Sequence, residues 1–556
     1  MESLKKYKEW LEDSYFDEAF RKELKELSDE EEITDRFYKY LEFGTAGMRG
    51  VIGAGTNRMN KYIVRRATQG FANYLKNTFG ENDLSIAIGF DPRHKSKLFT
   101  KEAALVMAAN NIKAYIFDTL KATPQLSYAV RNLGCVGGIM ITASHNPAAY
   151  NGYKVYDENG CQLVPEKGEK LIAEVNKIED FSKIKYIDEK KAIAKGKFEY
   201  IKDALMDEYI EKVKGVSIHP DAIKNSDLKV VFSPLHGSGG EPVTRVLKEK
   251  GLKNLVTVDE QMVPDGNFTT IKDPNPESPE AFEYAKKYGD KYDSDLLICT
   301  DPDADRVGLM VKKGSEFVAL NGNQIGMLLA DYILKSYDEI PKGGYIVNSI
   351  VSSGIIEKMA KKYKVNHKIV LTGFKYIGEI IETSDEAFLF GFEESYGYLR
   401  GTFVRDKDAV IASMLIVEMA AYYKDQGINL LDQLDSIYQE LGYFKEEMVA
   451  IRHEGQSGGE KIKRILAALR KGLIKELNGE EVVKTIDCLK PEETGLPKSN
   501  VLKYYFEDGS WYAIRPSGTE PKIKFYFSIK ADTQVLADEK LEGIKKDFLE
   551  KMKTIE

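Results

Sequence analysis

Cysteine is scarce in this chain. The 556 residues contain four, at Cys135, Cys161, Cys299 and Cys488, with no CxxC and no histidine beside them at metal-ligand spacing. That pattern excludes a disulfide framework or a Cys/His metal cluster and predicts a reducing compartment. Long apolar runs are missing too. None approaches the roughly 20 residues that a membrane span needs, and the opening stretch MESLKKYKEWLEDSYF lacks the apolar core of a signal peptide. Nor is there an excess of positive charge: 80 Lys and Arg against 88 Asp and Glu give a net charge of −8, which offers no global attraction to nucleic acid or to an anionic membrane. A soluble cytoplasmic protein is expected, in which any anionic ligand is held by local groups. The lysine-rich stretch Lys361–Lys368 reads as a solvated helix face.

What is present is core. Hydrophobic residues make up 43% and charged residues 30%, the balance of an ordinary globular protein, and the length calls for three or four domains. The first forty residues read as amphipathic helices, with Trp10, Leu11, Phe16 and Phe20 on the buried side, packed as an extension on the first domain. Beyond them short β-branched runs alternate with helical stretches, the pattern of parallel α/β units. Strands are expected at Ser85–Phe90, Ala114–Phe117 and Gly138–Thr142, then at Lys229–Phe232, Asn254–Val258 and Asp295–Cys299. A third set falls at Tyr345–Asn348, Lys368–Leu371 and Phe388–Phe392. The plan is strand-helix-strand-helix-strand used three times. After about Gly442 it gives way to a helix over Glu460–Leu477 and strands at Trp511–Ile514 and Lys522–Ser528. The expected fold class is therefore α/β, with three similar α/β domains over residues 1–205, 206–320 and 321–441 and a C-terminal α+β domain over 442–556. No Pro-rich linker separates them.

Ligands in open α/β sheets bind beyond the carboxyl ends of the strands, and each of the three sets ends there in a polar loop. The first is Thr142-Ala143-Ser144-His145-Asn146-Pro147, with Lys154 shortly after. It offers a serine nucleophile with His145 and Lys154 to stabilise charge; a serine there alone better suits an Asx/Pro turn, and His145 and Lys154 bring the two readings level. The second, Asp301-Pro302-Asp303-Ala304-Asp305-Arg306, places three carboxylates where a hard cation such as Mg²⁺ is bound through oxygen. Without a cation they would repel, and Arg306 suggests a phosphate alongside. The third, Gly391-Phe392-Glu393-Glu394-Ser395-Tyr396-Gly397, joins carboxylate and hydroxyl groups suited to a polyol, followed by Arg405 and Lys407 for phosphate or proton transfer; taken alone it better suits an acidic surface turn. A fourth loop, Arg515-Pro516-Ser517-Gly518-Thr519, has the makings of an anion cradle, or of a plain hairpin turn. The Gly-rich segment Gly44–Gly50 with Arg49, and Thr372-Gly373-Phe374-Lys375 at a strand end, fit the same scheme.

Together TASHNP, DPDADR, GFEES and RPSGTEP, one per domain and in that order, resemble the motifs of the α-D-phosphohexomutase superfamily from Gly44 to Lys522. The long N-terminal extension and the form GFEESYGY look most like the phosphoglucomutases grouped with phosphopentomutases and bisphosphate synthases. The resemblance implies four domains around a central cleft and transfer of phosphate between two positions of a hexose. Glucose 1-phosphate and glucose 6-phosphate would interconvert through glucose 1,6-bisphosphate as activator and intermediate. It makes Ser144 the phosphoserine, and assigns Mg²⁺, one per subunit, to Asp301, Asp303, Asp305 and the Ser144 phosphate. Arg49, His145 and Lys154 match residues around the transferred group, and Arg306 accompanies the metal loop. Lys407 resembles a general acid/base lysine, offset by one residue from the family spacing. Glu393 and Ser395, with Thr372 and Gly373 beside them, fall to the sugar, and Arg515, Ser517, Gly518 and Thr519 to the phosphate that stays, while Lys375 and Arg405 are expected among the substrate-binding residues. Pro302 stands where many members have Gly, which stiffens the loop without removing a ligand. The partners so implied are small hexose phosphates, with no nucleic acid and no membrane, and the chain a monomer or weak homo-oligomer. Mannose and pentose phosphates are alternative substrates. An apolar strand running into Asp-x-Asp also begins aspartyl-phosphate phosphatases and mutases, and a non-catalytic sugar-phosphate binder is a further alternative.

Overall fold

The computed structural model describes residues 2–44, 47–452, 455–516 and 522–555. By internal contacts the chain divides into two compact units. One comprises Met1–Leu320, Ile377–Ser384 and Gly397–Tyr422, the other Asn321–Tyr376, Asp385–Tyr396 and Tyr423–Glu556.

The first unit holds two sheets. The seven-stranded sheet runs, in spatial order, Phe43–Gly44, Gly47–Val51, Tyr150–Asp157, Gly137–Ile141, Ser85–Phe90, Lys113–Ile116 and Phe198–Tyr200. Its inner strands Ser85–Phe90, Lys113–Ile116 and Gly137–Ile141 are parallel, as the alternating pattern predicts, and Gly137–Ile141 is buried at every position. Sequence reading missed the antiparallel return. After the Ser144 loop the chain doubles back as Tyr150–Asp157, pairing Met140 with Lys154, and Gly47–Val51 pairs against it with Arg49 opposite Gly152. A Cβ at Gly152 would stand 2.4 Å from the Thr142 carbonyl oxygen, so glycine is required where the two strands close on the serine loop. The result is a mixed sheet that delivers Arg49, Ser144 and Lys154 from three neighbouring strands.

Three helices, Glu2–Glu12, Glu18–Lys25 and Glu30–Phe37, form the expected N-terminal extension. Trp10 stacks on Phe16 at 4.4 Å and meets Phe20 and Phe37, and Phe16 packs edge-on to Tyr62 of the helix Lys61–Phe79. That helix begins at Asn60, whose side chain accepts hydrogen bonds from the Tyr62 and Ile63 backbone N–H groups, a standard N-cap.

The second sheet orders its strands Glu316–Leu320, Val307–Lys313, Leu296–Thr300, Lys229–Ser233 and Asn254–Thr257. Leu296–Thr300 is buried at every position and parallel to Lys229–Ser233. It carries Asp301 at its carboxyl end, and the chain then turns back antiparallel as Val307–Lys313.

In the second unit Tyr345–Ser349 lies between Asn366–Val370 and Phe388–Glu393, parallel to both. The C-terminal sheet has six strands with antiparallel pairing, ordered Tyr443–Arg452, Lys522–Ala531, Trp511–Pro516, Leu502–Phe506, Glu480–Asp487 and Glu476–Leu477. It packs against the helix Gln534–Lys553 through Leu541, Ile544 and Phe548. Two expectations change here. The helix expected over 460–477 spans Gly455–Arg470 and gives way to the strand Glu476–Leu477. The lysine stretch 361–368 is helical only to Tyr363: Lys364 caps that helix in the left-handed region and Asn366 begins a strand. Its run of lysines, which report exposure in either conformation, hid the change from helix to strand. Among the described residues the four cysteines are buried and form no disulfide, and no helix is long and apolar enough to cross a membrane.

Candidate active site

The site is built where the two sheets of the first unit end. Ser144 follows the buried strand Gly137–Ile141 with φ at 52°, in the left-handed region. Its Oγ donates to Asp301 Oδ2 at 2.8 Å and lies 3.3 Å from His145 Nδ1. The loop Asp301–Arg306 is folded on itself by Asp301 Oδ1, which accepts the backbone N–H groups of Asp305 and Arg306. One oxygen each from Asp301, Asp303 and Asp305 lies within 4.8 Å of the others, and all three residues are buried.

Cations surround this group. Lys154 Nζ is 2.6 Å from Asp303 Oδ2 and 3.3 Å from Asp305 Oδ2. Lys407 Nζ is 3.1 Å from Asp305 Oδ2, Arg306 Nε is 3.7 Å from Asp305 Oδ1, and Arg49 donates to Asn146 Oδ1 at 2.7 Å. Burial and the charges of Asp303 and Asp305 push the Asp301 carboxyl well above its ordinary range. Burial would raise Asp303 as well, but the Lys154 ammonium and hydrogen bonds from Asp301, Lys154 and Thr123 together hold that carboxyl below its usual value. Asp305 is likewise lowered, against burial and Asp303, by Lys407, Lys154 and Arg306. The surrounding protein desolvates His145, and Arg306 and Arg49 add like charge. Its pKa sits well below the usual histidine range and the ring is neutral at pH 7.

The donor set suits a hard divalent cation. Buried oxygens Asp303 Oδ1 and Asp305 Oδ1 have no hydrogen-bond partner, and an orphaned carboxylate oxygen in a dry site is what oxygen coordination satisfies. The three aspartates can therefore hold a metal ion.

Several residues that sequence reading passed over hold these groups in place. Thr123 opens the helix Thr123–Asn132, and its backbone N–H and hydroxyl donate to Asp303 O and Oδ2, both at 2.8 Å. Asp406 Oδ2 accepts from Tyr156 OH and Gln162 Nε2, while its Oδ1 is 3.2 Å from Lys407 Nζ. Pro302 O accepts both the backbone N–H and the hydroxyl of Ser238, so the rigid residue in the metal loop is braced from outside. Asp91 and Arg93 stand beneath the serine loop. One signal could have found the last pair: Asp91-Pro92-Arg93 is itself a polar loop at a strand's carboxyl end.

Arg405 is tied to its own loop: its guanidinium pairs with Glu382 at 2.9 Å and donates to the Thr402 and Val404 carbonyls. In the second unit Glu393 Oε1 accepts the Gly373 N–H at 2.6 Å, with Gly373 at φ 119°. Ser395, Thr372 and Lys375 are half-buried in the same unit. Neighbouring Glu394 accepts from Ser349 and Ser352. Arg515 is half-buried on the strand Trp511–Pro516, opposite Lys524. Ser517, Gly518 and Thr519 lie outside the described residues.

Comparison with known proteins finds relatives over most of the chain. Phosphoglucomutase/phosphomannomutase models match in order: alpha/beta/alpha domain I over residues 40–182, domain II over 207–314, domain III over 321–441 and the C-terminal domain over 448–545. The phosphoglucomutase of Staphylococcus saprophyticus is 39% identical over 538 residues, covering 94% of this chain and 96% of that protein. A Staphylococcus aureus phosphoglucomutase is 39% identical over 515 residues, 90% and 91% of the two chains. The fold is shared with the open form of parafusin, an exocytosis-sensitive phosphoprotein and phosphoglucomutase from Paramecium (TM-score 0.72, 20% identity, 92% and 95% coverage). It is shared too with a family protein from Burkholderia thailandensis (TM-score 0.68, 18% identity, 92% and 97% coverage). The chain belongs to the phosphoglucomutase/phosphomannomutase family of isomerases, within the α-D-phosphohexomutase superfamily.

Proposed function

We propose that this protein interconverts glucose 1-phosphate and glucose 6-phosphate through phosphorylated Ser144 and a glucose 1,6-bisphosphate. The observation that carries the reading is the hydrogen bond from Ser144 Oγ to Asp301, inside a buried group of three carboxylates ringed by Lys154, Lys407, Arg306 and Arg49. In the forward half-reaction a sugar hydroxyl oxygen bonds to phosphorus as the phosphorus–Oγ bond of Ser144 breaks. In the second half, the other phosphate of the bisphosphate returns to Ser144.

Such transfers need placement and charge neutralisation more than covalent chemistry. Asp301, Asp303, Asp305 and the Ser144 phosphate would hold one Mg²⁺ per subunit, which would supply Lewis-acid stabilisation of the phosphoryl oxygens. Lys154, Arg306 and Arg49 add fixed positive charge around the transferred group. His145, neutral and 3.3 Å from Oγ, orients the serine without adding charge. Lys407, held by Asp406, is assigned to proton transfer with the reacting hydroxyl, as the family resemblance implies. Glu393, Ser395, Thr372, Gly373 and Lys375 are assigned to sugar hydroxyls, and Arg515 with Ser517, Gly518 and Thr519 to the phosphate that is not transferred. A cytoplasmic monomer or weak homo-oligomer accords with this reading.

Turnover on glucose 1-phosphate, mannose 1-phosphate and ribose 1-phosphate, with Mg²⁺ and catalytic bisphosphate, tests the assignment. Glucose 1-phosphate is expected to be preferred, acid-quenched label to map to Ser144, and Ser144→Ala to abolish turnover. Full turnover by Ser144→Ala sinks the reading.

A further inference from the structure

Ser144 is buried with a positive φ of 52°, a conformation that an L-residue keeps only when its surroundings hold it there. Both ends of its peptide unit lead to the same two residues. On the amide side, Ser144 N–H donates to Thr142 Oγ1 at 2.8 Å, and that hydroxyl donates to Asp91 Oδ2 at 2.6 Å. On the carbonyl side, Arg93 Nη2 donates to Ser144 O and, at 2.5 Å, to Asn146 O. Arg93 Nη1 donates to Pro147 O at 2.9 Å and Tyr150 O at 3.1 Å. One planar guanidinium thus gathers four carbonyl oxygens of the loop between Ser144 and Tyr150, a task for which the arginine fork is suited and a lysine point charge is not.

Asp91 closes the arrangement. Its Oδ2 lies 3.1 Å from Arg93 Nε, its Oδ1 accepts the Arg93 N–H and the Ser96 hydroxyl, and both side chains are 0% exposed. Asn151 adds a second tie through Ser96 Oγ and the His94 carbonyl. A fully buried ion pair is a weak source of stability compared with apolar packing of the same volume. What it supplies here is direction.

We propose that Asp91 and Arg93 are positioning residues for phosphoryl transfer: they hold the Ser144 loop in its left-handed conformation so that Oγ faces Asp301. This rests on the mutase reading of Ser144.

Two variants test it. Arg93→Lys keeps the charge and loses the fork, while Thr142→Val keeps the volume and the ion pair and cuts only the path from Asp91 to the Ser144 amide. The measured quantity is the single-turnover rate constant for transfer from phosphorylated Ser144 to glucose 1-phosphate, per phosphorylated site. It is expected to fall by about 100-fold in Arg93→Lys, the scale of a misplacement near 1 Å, and by about 10-fold in Thr142→Val. KM should stay within about twofold in both variants. Hydrogen exchange at residues 142–150, read on the same samples, is expected to speed up in both. A merely structural role would lower the thermal midpoint or the phosphorylated fraction and leave the rate constant alone, and that result overturns the proposal. If Arg93→Lys does not fold, Thr142→Val decides. Wild-type protein that transfers no phosphoryl group from Ser144 overturns the mutase reading instead, and unchanged loop exchange in the variants then overturns the positioning claim by itself.

Discussion

Ser144 Oγ donates to Asp301 Oδ2 across 157 positions of sequence, at 2.8 Å. Asp301→Asn keeps the size of this side chain and can keep the oxygen that accepts the Asp305 and Arg306 N–H groups, turns the atom facing Ser144 Oγ into an amide nitrogen, and removes one of three like charges. Because burial and Asp303 and Asp305 disfavour the charged form of Asp301, the metal-free variant should melt at a higher temperature than metal-free wild type. Mg²⁺ should raise the wild-type Tm by mass action and barely move the variant's. Thermal scans with and without Mg²⁺ check both signs. Equal shifts by Mg²⁺ in the two proteins contradict the assignment of the metal site.

The left-handed backbone at Ser144 has a consequence for stability. Glycine adopts that region freely and alanine does not. Ser144→Gly and Ser144→Ala should both be inactive, yet the glycine variant should be the more stable by about 0.5–1 kcal/mol. Urea midpoints compared at constant m-value measure this, and an alanine variant as stable as the glycine one refutes the strained geometry.

Gly397 lies against the stem of Lys407. A Cβ there would fall 2.0 Å from Lys407 Cδ and 2.6 Å from Cγ, so Gly397→Ala must drive the lysine out of its place beside Asp305 and Asp406. The expected result is a drop in kcat on the order of 100-fold with a folded protein. Steady-state kinetics beside a thermal scan separate this from unfolding, and wild-type kcat in a folded Gly397→Ala would remove Lys407 from the mechanism.

In the second unit Lys503 is buried, donates to the Ile350 carbonyl at 2.7 Å and lies 3.7 Å over the Trp511 ring. Burial lowers its pKa to about 7, against the opposing charge of Glu357. Between that value and the ordinary one near 10.5 the unfolded chain binds the extra proton. This group's contribution to stability therefore rises with pH across that window, by at most about 1.4 kcal/mol per pH unit. Lys503→Met should flatten that rise. Trp511 fluorescence in urea, in a Trp10→Phe background from pH 6 to pH 10, follows it. A difference between Lys503→Met and its parent that does not change with pH counts against the shift.

Some of this was legible in one dimension. Strands such as Ser85–Phe90 and Tyr345–Ser349 announce themselves as short, buried, β-branched runs, and strand-end loops gather polar residues because they face away from the core. TASHNP and DPDADR were visible because their chemistry is contiguous. Strand ends moved by a residue or so where the pattern carried no cap. Lys361–Lys368 was misread because lysine spacing reports exposure, which a helix end and an edge strand share. Arg405 sat among reactive neighbours in sequence, yet its guanidinium reaches Glu382, a partner 23 residues away that no local pattern signals.

The amino-acid sequence by itself determined the α/β plan and placed Ser144 and the three aspartates in loops at strand ends, since each depends on periodicity or on adjacent residues. Only the tertiary structure decided how Ser144 is held. The hydrogen bond to Asp301, the Lys154 bridge to Asp303, the Thr123 cap on that carboxylate and the Arg93 fork under the loop all join residues tens to hundreds of positions apart. Hydrogen bonds and charge pairs act over a few ångströms of space, and distance along the chain carries no record of which groups the folded backbone will bring that close.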